Sequence, residues 1–119
     1  MKILIVDDSM LCRKMVKSYM KEELPSADYI TAANGVEGLK LYESESPDFL
    51  ILDLLMPEMT GLEMLTYIKA KNPAVKATVL TADVQKSTRE EVEKIGVLKI
   101  LSKPFTREHA AEIAALISD

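Results

Sequence analysis

Cysteine is all but missing from this chain: its 119 residues include one, Cys12. That excludes an internal disulfide and fits a reducing, cytoplasmic setting. Long apolar runs are missing too, since none approaches the roughly 18 residues that a membrane-crossing helix needs. The N-terminal stretch MKILIVDDS has one Lys and a short apolar run ending on two acids, which is not the form of a secretory signal. There is no basic excess. With 15 Lys and Arg against 19 Asp and Glu, the net charge is −4, and the cations are scattered, so the footprint of a nucleic-acid binder is absent. Linkers, low-complexity segments and internal repeats are absent as well. The single His, His109, has no second His or Cys with which to hold a metal and reads as a surface or interface residue.

What is present has the balance of an ordinary globule, with 48% hydrophobic and 29% charged residues. A chain of this length forms one domain. It buries roughly 65% of its unfolded surface, enough to fold without a disulfide or metal. Five short apolar runs have strand length and strand composition: Lys2–Asp7, Asp28–Ala32, Asp48–Asp53, Ala77–Thr81 and Leu98–Ser102. Amphipathic stretches lie between them. Ser9–Glu23 puts Leu11, Met15, Val16, Tyr19 and Met20 on one face, and Pro25 stops it. Asn34–Ser44 begins on an N-cap residue and carries Val36, Leu39 and Tyr42. Gly61–Lys71 carries Leu62, Leu65 and Ile68, and Asn72-Pro73 ends it. Val84–Ile95 has few apolar anchors and closes on Gly96; Thr106 caps a last helix with Ala110, Ile113, Ala114 and Ile117 on its apolar side.

Strand–helix alternation repeated five times predicts an α/β fold, a three-layer α/β/α sandwich around a parallel sheet. Runs one, three and four are almost wholly apolar, as strands covered on both faces must be. Run two opens on Asp28-Tyr29 and run five carries Lys99, which suits the edges. Strand order 2-1-3-4-5, the flavodoxin-like arrangement, satisfies both. Ligands of such sheets bind at the carboxyl strand ends where the winding reverses, here between strands one and three.

The residues at that crevice are acidic. Strand one ends in Asp7-Asp8 and strand three in Asp53. Like charges this close raise one another's pKa unless a cation neutralises them, and a hard divalent ion such as Mg²⁺ prefers such oxygen ligands. One Asp there would be an ordinary helix cap, but a third acid on a neighbouring strand end is not accounted for that way. Strand four ends at Thr81 and strand five leads to Lys103. Each alone reads as a common strand-end or surface residue. Together with the acids, a hydroxyl and an ammonium make a phosphoryl-sized site.

Over nearly its whole length the sequence resembles the response-regulator receiver domain, the CheY-like module of two-component signalling. The resemblance rests on Ile3–Ser9 (ILIVDDS) with Arg13, Ala33–Gly35 (ANG), Pro47–Asp53 with Met56-Pro57-Glu58-Met59 and Gly61, Thr81-Ala82, and Lys103-Pro104-Phe105. It implies that Asp53 is the phosphoacceptor, attacking a phosphohistidine on a sensor histidine kinase or histidine phosphotransfer protein. It implies that Asp8, Asp53 and the backbone carbonyl of Leu55 bind Mg²⁺ (or Mn²⁺), with Asp7 acting through a water. Thr81 and Lys103 would contact the phosphoryl oxygens, and the Lys103-Pro104 peptide bond would be cis. Residues 1–119 would be a single receiver domain without an output domain. Output would come from binding a protein target through the fourth helix, fifth strand and fifth helix, with no role for nucleic acid or membrane. The chain would be a cytoplasmic signalling switch and not a turnover enzyme.

Some positions depart from the family pattern. The aromatic residue three positions before the Lys, coupled in the family to movement of the Thr, is Ile100 here, which has no ring and a stiff χ1. The loop and first turn of the Val84–Ile95 helix are therefore expected to carry the change instead. Leu55 and Asp83, two residues after Asp53 and Thr81, sit where water access to the phosphoryl group is tuned. Thr60 replaces a common acid, and Gly38 replaces a helix former at a cost of about 1 kcal/mol relative to Ala. Cys12 and most of the seven Met residues read as packing residues. The alternative class is a receiver-like interaction scaffold that is never phosphorylated, which Ile100 favours and the intact acids, Thr81 and Lys103 oppose. Enzymes on the same fold fit less well. A flavin carrier would want a phosphate-cradling loop after strand one, and an aspartyl phosphatase would want D-x-D there.

Overall fold

Ile3, Leu4, Ile5 and Val6 are all buried, so the first strand has no solvent face. It belongs to a five-stranded parallel sheet, and the protein, a computed structural model, is described at residues 1–82 and 85–118. The elements in order are β1 (Lys2–Val6), α1 (Met10–Glu23), β2 (Asp28–Ala32), α2 (Gly35–Glu45), β3 (Phe49–Leu52), α3 (Gly61–Lys71), β4 (Ala77–Thr81), α4 (Lys86–Ile95), β5 (Lys99–Ser102) and α5 (Arg107–Ser118). The strand order is β2-β1-β3-β4-β5, as the distribution of apolar residues predicts. Among the described residues, no helix is long and apolar enough to cross a membrane.

Alternation along the strands sorts the core into two layers. Leu4, Val6, Leu50, Leu52 and Val79 face one side, with Met64, Leu65 and Ile68 of α3 and Val92 of α4. Ile3, Ile5, Phe49, Ile51 and Leu80 face the other, with Val16 and Met20 of α1 and Ala110 and Ile113 of α5.

The helix ends follow from their caps. Ser9 and Asn34 accept the N–H groups of Cys12 and Glu37. Thr60, read from sequence only as a lost acid, forms a capping box with Glu63. At α5 the pairing is reciprocal too. The His109 N–H donates to Thr106 Oγ1 at 3.1 Å, and the Thr106 N–H donates to His109 Nδ1 at 3.3 Å. His109 is thus a half-buried capping residue whose ring also lies against Phe105.

Three expectations from sequence need correction. Leu11 is 69% exposed, not part of the apolar face of α1; it sits in the first turn, at the carboxyl edge of the sheet, where no strand lies beneath it. Val36 is exposed as well, and the buried positions of α2 are Gly35 and Gly38. Gly38 is therefore a contact point and not only a weak helix former. A Cβ there would lie 3.0 Å from Val6 Cγ2 and 3.1 Å from Met64 Cε, so α2 rests directly on β1 and α3. Strand boundaries are also tighter than the apolar runs, leaving Asp7, Asp48 and Asp53 just outside the strands.

Candidate functional site

The carboxyl edge of the sheet gathers residues from four strands. Asp7 follows β1 and Asp53 follows β3, and a backbone bond from Asp53 N–H to Val6 O (2.9 Å) ties the two strand ends together. Asp7 N–H donates to Ala32 O at 3.1 Å, anchoring it to β2 as well. Thr81 ends β4, buried at 2% exposure, and its carbonyl accepts from Lys103 N–H at 2.9 Å. The Lys103-Pro104 peptide bond is cis.

One oxygen from each of Asp7, Asp8 and Asp53 can be chosen so that all lie within 4.8 Å of one another. Asp7 and Asp53 are buried, at 2% and 4% exposure, whereas Asp8 is exposed. Lys103 Nζ lies 2.8 Å from Asp7 Oδ2 and 3.2 Å from Asp53 Oδ2. Ser9 N–H donates to Asp7 Oδ1 at 2.9 Å and Leu55 N–H to Asp53 Oδ1 at 3.3 Å.

These contacts do not balance the charge. Three carboxylates face one ammonium, with the Arg13 guanidinium behind them at the Asp7 carbonyl, so the cluster stays net negative. Burial and charge act together on the groups of the site. Burial, and after it the charge of Asp7, pushes the Asp53 carboxyl above its ordinary value, against the pull of Lys103. For Lys103, burial works to lower the ammonium, but the hydrogen bond to Asp7 and the charges of Asp53 and Asp7 outweigh it and raise it. Oxygen donors this close, with a net negative charge, fit a hard cation of the Mg²⁺ type. Asp7, Asp8 and Asp53 are the side chains that would hold it.

The loop carrying Asp53 is positioned by glycines. A Cβ on Gly61 would overlap the Asp53 carbonyl oxygen, and one on Gly35 would lie 2.5 Å from the Met59 carbonyl oxygen. Gly61 N–H donates to Leu54 O at 3.0 Å. Glu58, at the turn of this loop, has φ 66°, a left-handed conformation unusual for a side-chain-bearing residue. By sequence Gly35 and Gly61 belong to the motif, and Gly61 also opens the third helix; their task in the fold is close approach, which one sequence does not display. Arg13 is another motif residue, and its Nη1 donates to the Asp7 carbonyl oxygen at 2.6 Å.

The remaining predicted positions divide. The Leu55 side chain is 55% exposed beside the acids. Ile100 is half-buried in β5, paired in register with Val79 and packed against the core layer that contains Val92. Asp83 lies outside the described residues, as does Val84, the expected first residue of the fourth helix. Cys12 is half-buried, and burial, aided by a hydrogen bond with Asp7, pushes its thiol up to about 12, which makes it a poor nucleophile at neutral pH.

Fold and site together define a doubly wound α/β domain with an acidic crevice, reached by one lysine, at its switch point. The sequence profile of the response regulator receiver domain matches residues 3–115, and the chain belongs to that family. Chemotaxis protein CheY of Listeria monocytogenes is 37% identical over 115 residues, covering 94% of this chain and 93% of the relative. A methylesterase/glutaminase of Koribacter versatilis is also 37% identical, over 106 residues and 87% of this chain, but the match spans only 29% of that longer protein. Among solved structures, CheY4 of Vibrio cholerae superposes with a TM-score of 0.86 at 28% identity, covering 98% of this chain and 97% of that one. A chain in the CheX–CheY–BeF₃–Mg²⁺ complex of Borrelia burgdorferi reaches 0.90 at 23% identity, covering 99% and 89%, a likeness of fold alone.

Proposed function

We propose that this chain is a phosphorylation-controlled switch in which Asp53 accepts a phosphoryl group from a phosphohistidine on a sensor kinase or phosphotransfer protein. The observation that supports this most directly is the contact of Lys103 Nζ with both Asp7 and Asp53. It puts a cation within reach of the oxygens that a phosphoryl group on Asp53 would present.

A carboxylate oxygen of Asp53 attacks phosphorus, the P–N bond to the donor imidazole breaks, and an acyl phosphate forms. The negative charge that Lys103 meets on Asp53 passes to the phosphoryl oxygens, so the ammonium keeps a partner throughout. Asp8, Asp53 and the Leu55 carbonyl would hold Mg²⁺ directly, and Asp7 through a water. When bound, the ion supplies charge neutralisation for the transferring group. The Thr81 hydroxyl senses the added oxygens. Because Ile100 carries no ring, the change passes through the first turn of α4 and not through an aromatic rotation. The α4–β5–α5 face then presents a different surface to a protein partner.

The test is intact mass after incubation with acetyl phosphate and Mg²⁺. Gain of one phosphoryl group by the wild type, lost in Asp53→Asn and lost with a chelator, supports the reading. Absence of both the adduct and beryllofluoride binding would leave an unphosphorylated interaction scaffold as the better account.

A further inference from the structure

Asp7 is held at every polar atom. Its N–H goes to Ala32, its carboxylate oxygens to Ser9 N–H and Lys103, and its carbonyl to Arg13. Asp8 is held at none of its side-chain atoms: among the described residues its exposed carboxylate makes no hydrogen bond or ion pair. What the fold fixes at Asp8 is therefore the origin and direction of its Cα–Cβ bond, which the backbone sets. The Asp7 carbonyl is part of the peptide that joins the two acids, and the Arg13 guanidinium fixes it at 2.6 Å. Arg13 is itself locked in the first turn of α1, its N–H donating to Ser9 O at 3.0 Å. Its long side chain runs back toward the helix N-terminus, the direction helical side chains favour.

A fixed positive charge beside a cation site opposes cation binding by Coulomb repulsion. We infer that Arg13 is a positioning residue: it holds the Asp7–Asp8 peptide so that the Asp8 carboxylate faces the cation, and the geometry gained outweighs the repulsion. This rests on the reading of Asp7, Asp8 and Asp53 as cation ligands.

The two effects of Arg13 have opposite signs, which makes the inference testable. Mn²⁺ is the probe, its free fraction read by electron paramagnetic resonance, with Mg²⁺ added in competition. The proteins are the full chain, Arg13→Met and Arg13→Lys, at low and high KCl. Charge alone predicts tighter Mn²⁺ binding by Arg13→Met. Positioning predicts binding weaker by about tenfold or more, the usual loss when an outer-shell partner of a ligand is removed. It also predicts that the loss persists in high salt, where surface charge effects are screened. Arg13→Lys, with a single ammonium on a shorter stem in place of the guanidinium fork, binds between the two. Far-UV circular dichroism and metal-free urea unfolding establish that each variant is folded. A purely structural role would lower the unfolding midpoint and leave the affinity of the folded protein unchanged.

Equal or tighter Mn²⁺ binding by folded Arg13→Met overturns the inference. If that variant does not fold, Arg13→Lys decides, and wild-type affinity in it overturns the inference. Failure of the wild type to bind Mn²⁺ at all is a separate result, which removes the cation site and this role with it.

Discussion

Gly61 lies against the main chain of Asp53 so closely that a Cβ would overlap the Asp53 carbonyl oxygen and sit 2.9 Å from Leu54 Cα. Backbone cannot give way as a side-chain tip can. Gly61→Ala is expected to lower stability by about 2–3 kcal/mol, the upper range for overpacking. It should also slow phosphorylation by acetyl phosphate, because the displaced atom belongs to the proposed acceptor. Urea unfolding and the rate of adduct formation measure the two effects. A change below about 0.5 kcal/mol, the size of an ordinary surface substitution, would mean that the loop moves freely.

Burial and the Asp7 charge hold the Asp53 carboxyl above its ordinary value. The folded chain therefore binds that proton more tightly than the unfolded chain does. This contribution to stability is present at low pH and is lost as pH rises from the unfolded-state value, about 3.9, through the folded one. Without metal at neutral pH, Asp53→Asn is expected to unfold at higher urea than the wild type, and the gap should close in acid. Mg²⁺ at tenfold excess over Kd should add about 1.4 kcal/mol to the wild type and less to the variant. A gap that stays constant from acid to neutral pH would show that charge is not its cause.

The Thr78 side chain is fully buried on β4, and among the described residues its hydroxyl has no hydrogen-bond partner. Thr78→Val keeps the shape and removes the unpaired group. It is expected to stabilise the chain by about 1 kcal/mol, read as a higher urea midpoint with an unchanged slope. A destabilised variant would point to an ordered water on the hydroxyl.

Of the ten residues of α4 only Val92 is buried, and Gln85 makes no side-chain cap to the helix. The first turn of α4 should therefore exchange its amide hydrogens faster than the side-chain-capped first turns of α1, α2 and α3. Beryllofluoride with Mg²⁺ should change exchange at residues 85–90 more than within β1 or β3. Identical protection with and without it would exclude α4 as the responding element.

The sheet was legible in the chain because each strand is a compact apolar run and its neighbours in sequence are helical. Buried parallel strands need that composition whatever packs on them. The edge positions followed from Asp28-Tyr29 and from Lys99 inside its run, polar positions that suit strands less fully covered, whereas the one charge of central β1, Lys2, sits at its open end. The acids were legible because the switch point of a doubly wound sheet follows from strand order alone. What Lys103 touches, how far Asp8 stands from solvent cover and what Arg13 holds depend on side chains that meet from positions far apart in the chain. No local pattern encodes those distances. Nor does sequence distinguish a glycine that loosens a helix from one on which another element rests. Gly38 and Gly61 acquire their meaning only when Val6, Met64 and the carbonyl of Asp53 are brought within contact of them. For the same reason Leu11 fits the apolar face of its helix by periodicity yet stands exposed, since burial depends on where the sheet beneath it ends.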